Sequence, residues 1–231
     1  MSGLFGTLFC SNETYQLLCD MHELTQTFIL RWGYVSDDYS ASAASEIRSY
    51  DAHMQQIYTQ RILTLPMKDS EPSDWVYECV RLTSLILCRS MLQGVPLSES
   101  ASIVPASSSQ LSMNLSPDSY VHDNGYTMLS ALHNALENTD KTDCWGELGG
   151  VFLWICLLGG AACWQSNGQA HYGETDEMVA QRAWTRKCFA LWTVKASLRL
   201  GFEQPAAVVE SQRTMLQVQR LIGLKSGIRS Q

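Results

Sequence analysis

A stretch of seventeen residues without a formal charge, LGGVFLWICLLGGAACW at positions 148–164, constrains the fold more than any other feature. Its length lies at the lower limit of a membrane-spanning helix, which needs about 20 apolar residues. Acidic residues precede it, and no cluster of Lys or Arg follows to orient it in a bilayer. Each glycine of its two Gly-Gly pairs would cost an isolated helix about 1 kcal/mol, so tertiary packing must support it. We therefore predict a central, buried core helix near residues 144–164.

The composition indicates one large core. Hydrophobic residues make up 45% of the 231 positions and charged residues only 17%, against about 25% in an average domain. We expect a single domain over residues 1–231. The balance of 16 basic and 23 acidic residues disfavours binding to nucleic acid, which needs clustered Lys and Arg. The nearest approach to a basic run, Arg182, Arg186 and Lys187, is typical of the solvated side of a helix.

The eight cysteines predict neither a disulfide framework nor a metal site. None of them forms a Cys-x2-Cys pair, and no His lies at zinc-finger distance from two of them. The first ten residues, MSGLFGTLFC, lack the basic start and the full apolar run of a signal peptide. We therefore expect an intracellular protein, cytoplasmic or nuclear, without a cofactor.

Apolar residues recur with spacings of three and four along most of the chain, which predicts an all-α fold, an irregular bundle of about seven helices. Ser11 or Asn12 can cap the first helix, and Asp74 and Gly94 bound the third. Residues 97–118 are rich in Ser and lack a period, which predicts a long surface loop. The predicted helices cover about 15–32, 45–65, 73–94, 117–136, 144–164, 175–200 and a last one from Pro205.

Three stretches, in this order, resemble the C-terminal regulatory domain of fungal zinc-cluster transcription factors: DWVYECVRLTSLIL (74–87), NTDKTDCWGELGGVFLWICLLGGAAC (138–163) and LRLGFEQPAAVVESQRTML (198–216). The opening LFGTLFCSNETYQLLCDMHELTQTF and the later IYTQRILTLP are similar to the start of that domain. The likeness covers nearly the whole chain. Its motifs are helix-packing patterns, so it implies a fold and a regulatory role rather than a particular chemistry.

Members of that family normally begin with a Cys-x2-Cys-x6-Cys zinc cluster that reads DNA, and this chain has neither that cluster nor the linker that follows it. It is then either a part of a longer protein or a free-standing relative that has lost DNA binding. The leading expectation is a regulatory or effector-binding module without DNA-binding capacity. The alternative is a fungal secondary-metabolite enzyme, a cyclase or isomerase, and a third function is a helical dimerisation partner. The partners implied are a small-molecule ligand or substrate, or a second copy, with no direct nucleic acid and no membrane.

Three residues are candidates for proton transfer in the enzymatic alternative. His133 lies at the border of an apolar helix face, where a partly buried imidazole can exchange a proton near neutral pH. Glu78 and Arg81 lie three apart on the nearly all-apolar third helix. Charges in such a helix are usually paired, because an unpaired buried ion is costly, so a structural ion pair is the other interpretation.

A pocket in a helical bundle is the usual ligand site of this architecture, and several residues are candidates to line it. They share an aromatic ring or a guanidinium within or beside an apolar segment: Trp75, Arg89, Trp154, Trp164 and Trp192, with Trp184 as a further tryptophan. Asp140, Asp143 and Glu147 would share one side of the chain if that segment were helical, as metal-binding carboxylates do. Acidic residues also favour the positive end of a helix, and on that interpretation they bind no metal.

Overall fold

The structure is a computed structural model, and it describes residues 10–33, 41–62, 74–103, 127–164 and 176–229. Over these ranges the fold is all-α, with no strand, which confirms the predicted class. Eight α-helices occur there, one more than the sequence predicts. In chain order they are α1 (Asn12–Gly33), α2 (Ala41–Ile57), α3 (Trp75–Gln93), α4 (Leu97–Ala101), α5 (Met128–Glu137), α6 (Gly149–Ala162), α7 (Asp176–Glu203) and α8 (Pro205–Arg229).

The predicted caps bound the first and third helices. Ser11 Oγ accepts a hydrogen bond of 3.2 Å from the amide of Thr14 at the start of α1. Asp74 accepts one of 2.9 Å from the amide of Tyr77 at the start of α3. Gly94 ends α3 in the left-handed conformation, with φ of 65°, where a side chain would be strained. These caps depend on local backbone geometry, which explains why the sequence alone locates them.

Several boundaries of the predicted helices differ from those in the structure. The predicted Ser-rich loop begins with α4, a short helix at 97–101, and residues 104–126 lie outside the described ranges. The helix predicted over 117–136 is interrupted at Thr127, which is extended and caps α5 by accepting from the amide of Ser130. At the other end of the chain, α7 continues through Gly201, which the sequence placed after the helix end. The second predicted helix continues from α2 into π-helical turns over Tyr58–Ile62.

The segment before α6 turns through three consecutive residues in the left-handed region, and we call Cys144, Trp145 and Gly146 the left-handed corner. Their φ angles are 46°, 65° and 56°. The central helix therefore starts at Gly149, after a short 3-10 turn, and not near 144 as predicted. The indole of Trp145 holds the corner by packing on Phe152 at 5.2 Å between ring centroids.

The core lies between α3 and α6. Helix α6 packs against α3, α4, α5, α7 and α8, and α3 packs against α1, α4, α5, α6 and α8. Phe152 is fully buried and Trp154 is partly buried against the core, so α6 is covered around most of its circumference. Within the described ranges, no helix combines the length and hydropathy that crossing a bilayer would require.

One glycine explains how closely α6 and α7 approach each other. A Cβ atom at Gly159 would lie 2.3 Å from Cε1 of Phe189, a fully buried residue of α7. At the neighbouring Gly160 the nearest such atom is Phe189 Cβ, at 4.0 Å. The absence of a side chain at Gly159 thus lets the Phe189 ring lie directly against the α6 backbone.

Candidate functional site

The predicted pair Glu78–Arg81 is a bidentate ion pair within α3. Arg81 donates from Nε to Glu78 Oε2 at 2.7 Å and from Nη2 to Oε1 at 2.6 Å. The Arg81 side chain is only 4% exposed and that of Glu78 is 18% exposed. Both carboxylate oxygens are therefore engaged by the guanidinium, which favours the structural interpretation over a proton-transfer role.

The candidates for an aromatic pocket do not come together. Trp164 is 68% exposed and Trp184 is 59% exposed, so both lie at the surface. Trp75 and Trp154 are partly buried against the core, and Arg89 donates to Gln93 of its own helix at 2.8 Å. In the part of the chain that the structure describes, no ring contact joins any two of the five tryptophans 75, 154, 164, 184 and 192. Of the predicted pocket residues, Trp192 stacks on a candidate catalytic residue, His133.

Two of the three carboxylates considered for metal binding have other partners, and the third is exposed. Residues 140–145 form turns rather than helix, because of the left-handed corner, and the predicted common side is not formed. Asp140 accepts from both the amide and the hydroxyl of Thr142, and these bonds lower the pKa of its carboxyl. Asp143 forms an ion pair with Arg199 of α7, and Glu147 is exposed.

His133 lies in an aromatic cluster between α5 and α7. Its imidazole stacks on Trp192 at 5.4 Å between centroids and meets the edge of Phe189 at 6.1 Å. Its Nε2 is buried and, among the described residues, has no hydrogen-bond partner. Burial lowers the pKa of this histidine, although nearby Glu137 acts in the opposite direction, so the ring is neutral near pH 7. Glu78 and Arg81 lie on α3, occupied with each other, and take no part in this cluster.

Helix α7 also carries a second apolar face, which the sequence analysis missed. The buried face includes Cys188, Phe189, Trp192, Ala196 and Leu200. We call the opposite, exposed face the α7 stripe. At about 100° per residue its members lie within about 80° of arc. They are Trp184, Leu191, Val194, Leu198 and Phe202, which are 59%, 68%, 55%, 61% and 89% exposed.

Two lysines lie on or beside the α7 stripe. At about 100° per residue, Lys187 falls within the arc of the stripe and Lys195 lies about 20° from its edge. Between positions 182 and 199 this helix carries five basic residues and no acidic residue, in a chain of net charge −7. Lys187 is exposed, and Lys195 donates to the carbonyl of residue 141. Of the residues predicted to form a solvated basic side, Lys187 therefore lies on the exposed apolar surface, whereas Arg182 lies on the far side of the helix.

The sequence of α7 contains a signal for this second face: apolar residues lie on nearly all sides of the helix, yet the helix carries too many charges to be wholly buried.

Comparison of the chain with family models, with curated proteins and with solved structures finds no match. The resemblance to fungal regulatory domains therefore stays a prediction.

Proposed function

We propose that this chain is a regulatory module that acts by binding a partner protein through the α7 stripe, with no DNA-binding capacity of its own. The single observation that supports it is the stripe itself, five large apolar side chains in one row, each more than half exposed. Rows of this kind on a protein surface mark interaction sites. The function agrees with the regulatory role that the sequence resemblance implies.

The occupant we propose is an amphipathic helix with acidic residues beside its apolar face. The stripe runs from Trp184 to Phe202 and is about 27 Å long at 1.5 Å per residue, which matches a partner helix of about five turns. Five basic residues and no acidic residue lie between 182 and 199. Acidic residues beside the apolar face of the partner would pair with Lys187 and Lys195, which lie on and beside the stripe, and charge complementarity of this kind sets the choice of partner.

A second copy of the chain is the less favourable occupant. In an antiparallel pairing that places Trp184 of one copy against Phe202 of the other, Lys187 would face Arg199, whose charge is already partly balanced by Asp143. In a parallel pairing, Lys187 would face its own counterpart. Like charges brought together across an interface cost binding energy, which favours an acidic partner instead.

Two synthetic helical peptides test the proposal. They share a Leu face of five turns and differ only in their flanks, which carry Glu in one peptide and Lys in the other. Binding is measured by fluorescence anisotropy of a dye on the peptide. We expect the Glu peptide to bind at least tenfold more tightly than the Lys peptide, with a difference that decreases as salt rises.

Variants locate the binding surface. Leu191→Asp and Leu198→Asp each place a charge in the stripe at an exposed position. The fold should therefore persist, while binding of the Glu peptide should be lost. Leu216→Asp, at a 66% exposed position of α8, is the matched control and should bind normally. Equal binding of both peptides, no binding of either, or equal loss in the control contradicts the proposal. A dimer of the unmodified chain in light scattering that Leu198→Asp dissolves would identify a second copy as the occupant and overturn the acidic partner.

A small molecule bound at His133, as effector or as substrate of a cyclase or isomerase, is the second candidate function. It is favoured by the neutral imidazole, whose Nε2 lies in the aromatic cluster without a partner among the described residues. Such a group can accept or donate a proton during a cyclisation. Native mass spectrometry of protein purified from a fungal host tests it. A retained metabolite that is absent from a His133→Gln variant would support this function, and its absence from both proteins would contradict it.

A further inference from the structure

Three side chains with metal-binding atoms meet at the end of α5. A ring nitrogen of His133, a carboxylate oxygen of Glu137 and Sγ of Cys188 all lie within 4.8 Å of one another. His133 and Glu137 are four residues apart and thus project from the same side of α5. Cys188 reaches them from the buried face of α7, while Glu137 lies at the surface. The cluster therefore joins side chains of two helices and has one side open to solvent.

The local electrostatics favour a cation at this place. Helix α5 ends at Glu137, so the partial negative charge of its C-terminal carbonyl groups lies at the Glu137 end of the cluster. A cation is already held there. Lys141 Nζ donates to the carbonyl oxygens of Leu136 at 3.2 Å and Glu137 at 2.7 Å, and lies 3.4 Å from Glu137 Oε2. Because Lys141 has these carbonyl partners, it can stay in place when the Glu137 carboxylate binds another cation.

Binding of a metal ion requires a neutral imidazole and a deprotonated thiol. Burial lowers the pKa of His133, so its imidazole is neutral and keeps a free lone pair near pH 7. Burial is also the main reason for the raised pKa of the Cys188 thiol, with Glu137 adding to it. The thiol is therefore protonated in the metal-free protein. Coordination forms the metal–sulfur bond, breaks the S–H bond and releases one proton to solvent.

We propose that His133, Glu137 and Cys188 form a binding site for a divalent metal ion of the zinc type, with a fourth position open to solvent beside Glu137. An imidazole, a carboxylate and a thiolate are the three kinds of ligand that zinc takes in proteins, and three protein ligands with one open position is the arrangement of reactive rather than purely structural sites. The two anionic ligands balance the two charges of the ion. The site is separate from the α7 stripe, so the inference goes beyond the proposed function.

The geometry requires only a small contraction. Ligand atoms around tetrahedral zinc are separated by about 3.5 Å, given bonds of about 2.0–2.3 Å. The widest separation of 4.8 Å here must therefore shorten, and Glu137, whose side chain is 47% exposed, is the ligand free to move. The stacked ring of Trp192 and the edge of Phe189 fix the plane of the imidazole, as neighbouring groups do in known metal sites.

The experiment is a titration of the whole chain with Co²⁺ as a spectroscopic probe, followed by displacement with Zn²⁺. We expect one ion per chain, visible d–d bands of tetrahedral strength and a near-ultraviolet charge-transfer band from thiolate to cobalt. Cys188→Ser should lose the charge-transfer band. Glu137→Gln, at an exposed position that leaves the fold intact, should weaken binding at least tenfold while keeping that band.

Two further variants complete the design. Cys19→Ser removes an exposed thiol of α1 and is the control for binding at surface cysteines, so it should bind as the unmodified chain does. Lys141→Gln removes the competing cation beside Glu137 and should tighten binding. Folding of each variant is checked by circular dichroism. The proposal is overturned if the charge-transfer band survives in Cys188→Ser, if it disappears in Cys19→Ser, if Glu137→Gln binds as the unmodified chain does, or if no ion binds.

Discussion

The contact of α6 with α7 predicts opposite effects for two adjacent substitutions, Gly159→Ala and Gly160→Ala. Each replaces a helical glycine with alanine, and this replacement by itself stabilises a helix by about 1 kcal/mol. At Gly160 the new methyl group meets nothing nearer than 4.0 Å, so this gain should appear in full. At Gly159 it would lie 2.3 Å from the Phe189 ring, far inside the normal contact distance of about 3.5–4.0 Å.

Overpacking of a core costs about 1–3 kcal/mol, and the depth of this overlap indicates the upper end of that range. After subtraction of the helix gain, Gly159→Ala should lower the free energy of unfolding by about 2 kcal/mol. The two variants should then differ by about 3 kcal/mol. For a chain of this size, each kcal/mol shifts the melting temperature by about 2–4 °C.

Urea denaturation followed by circular dichroism measures both values, and thermal melts check their order. The double variant Gly159→Ala with Phe189→Leu provides the coupling, because the shorter side chain leaves room for the methyl group. We expect the double variant to be less destabilised than the sum of the two single changes. Equal stability of the two alanine variants, or strict additivity in the double variant, would show that the α6 backbone and the Phe189 ring are not in contact.

The remaining predictions concern the ion pair and the cap of α3. Glu78→Gln leaves the Arg81 guanidinium buried without a carboxylate, and it should lower the free energy of unfolding by about 3 kcal/mol in urea denaturation. The pair Glu210–Arg213 has the same spacing but is 66% and 71% exposed, so Glu210→Gln should change stability by less than about 0.5 kcal/mol; equal losses in both variants would refute the role of burial. Asp74→Ala removes the α3 cap and should cost about 1 kcal/mol, with Asp74→Ser recovering most of it in the same assay.

The parts of the fold that depend on neighbouring residues could be predicted from the sequence. The helical class follows from spacings of three and four, and Ser11, Asp74 and Gly94 mark their helix ends through bonds to residues three or four positions away. The i, i+3 pairing of Glu78 with Arg81 could be predicted for the same reason. All of these contacts form within one or two turns of helix.

The parts that depend on contacts between helices could not be predicted in this way. Gly201 is a usual helix stop, but it lies inside α7, which continues to Glu203. His133 and Glu137 have the spacing of neighbours on a helix, but nothing in the chain indicates that Cys188 lies opposite them. Periodicity also does not distinguish a residue that faces the core from one that faces solvent when a helix is apolar on both sides, as Trp192 and Trp184 of α7 show.

Helix α7, which carries the α7 stripe, is hydrogen-bonded to the segment that contains the left-handed corner. From α7, Lys195 donates to the carbonyl of Lys141 and Arg199 donates to the carbonyl of Asp143, so the inner side of this helix fastens the connection between α5 and α6. A rotation of α7 would stretch both bonds. If the proposed partner required such a rotation, its affinity and the strength of this connection would depend on each other. The two sides belong to one helix, so a displacement of the exposed side also displaces the side that binds this connection.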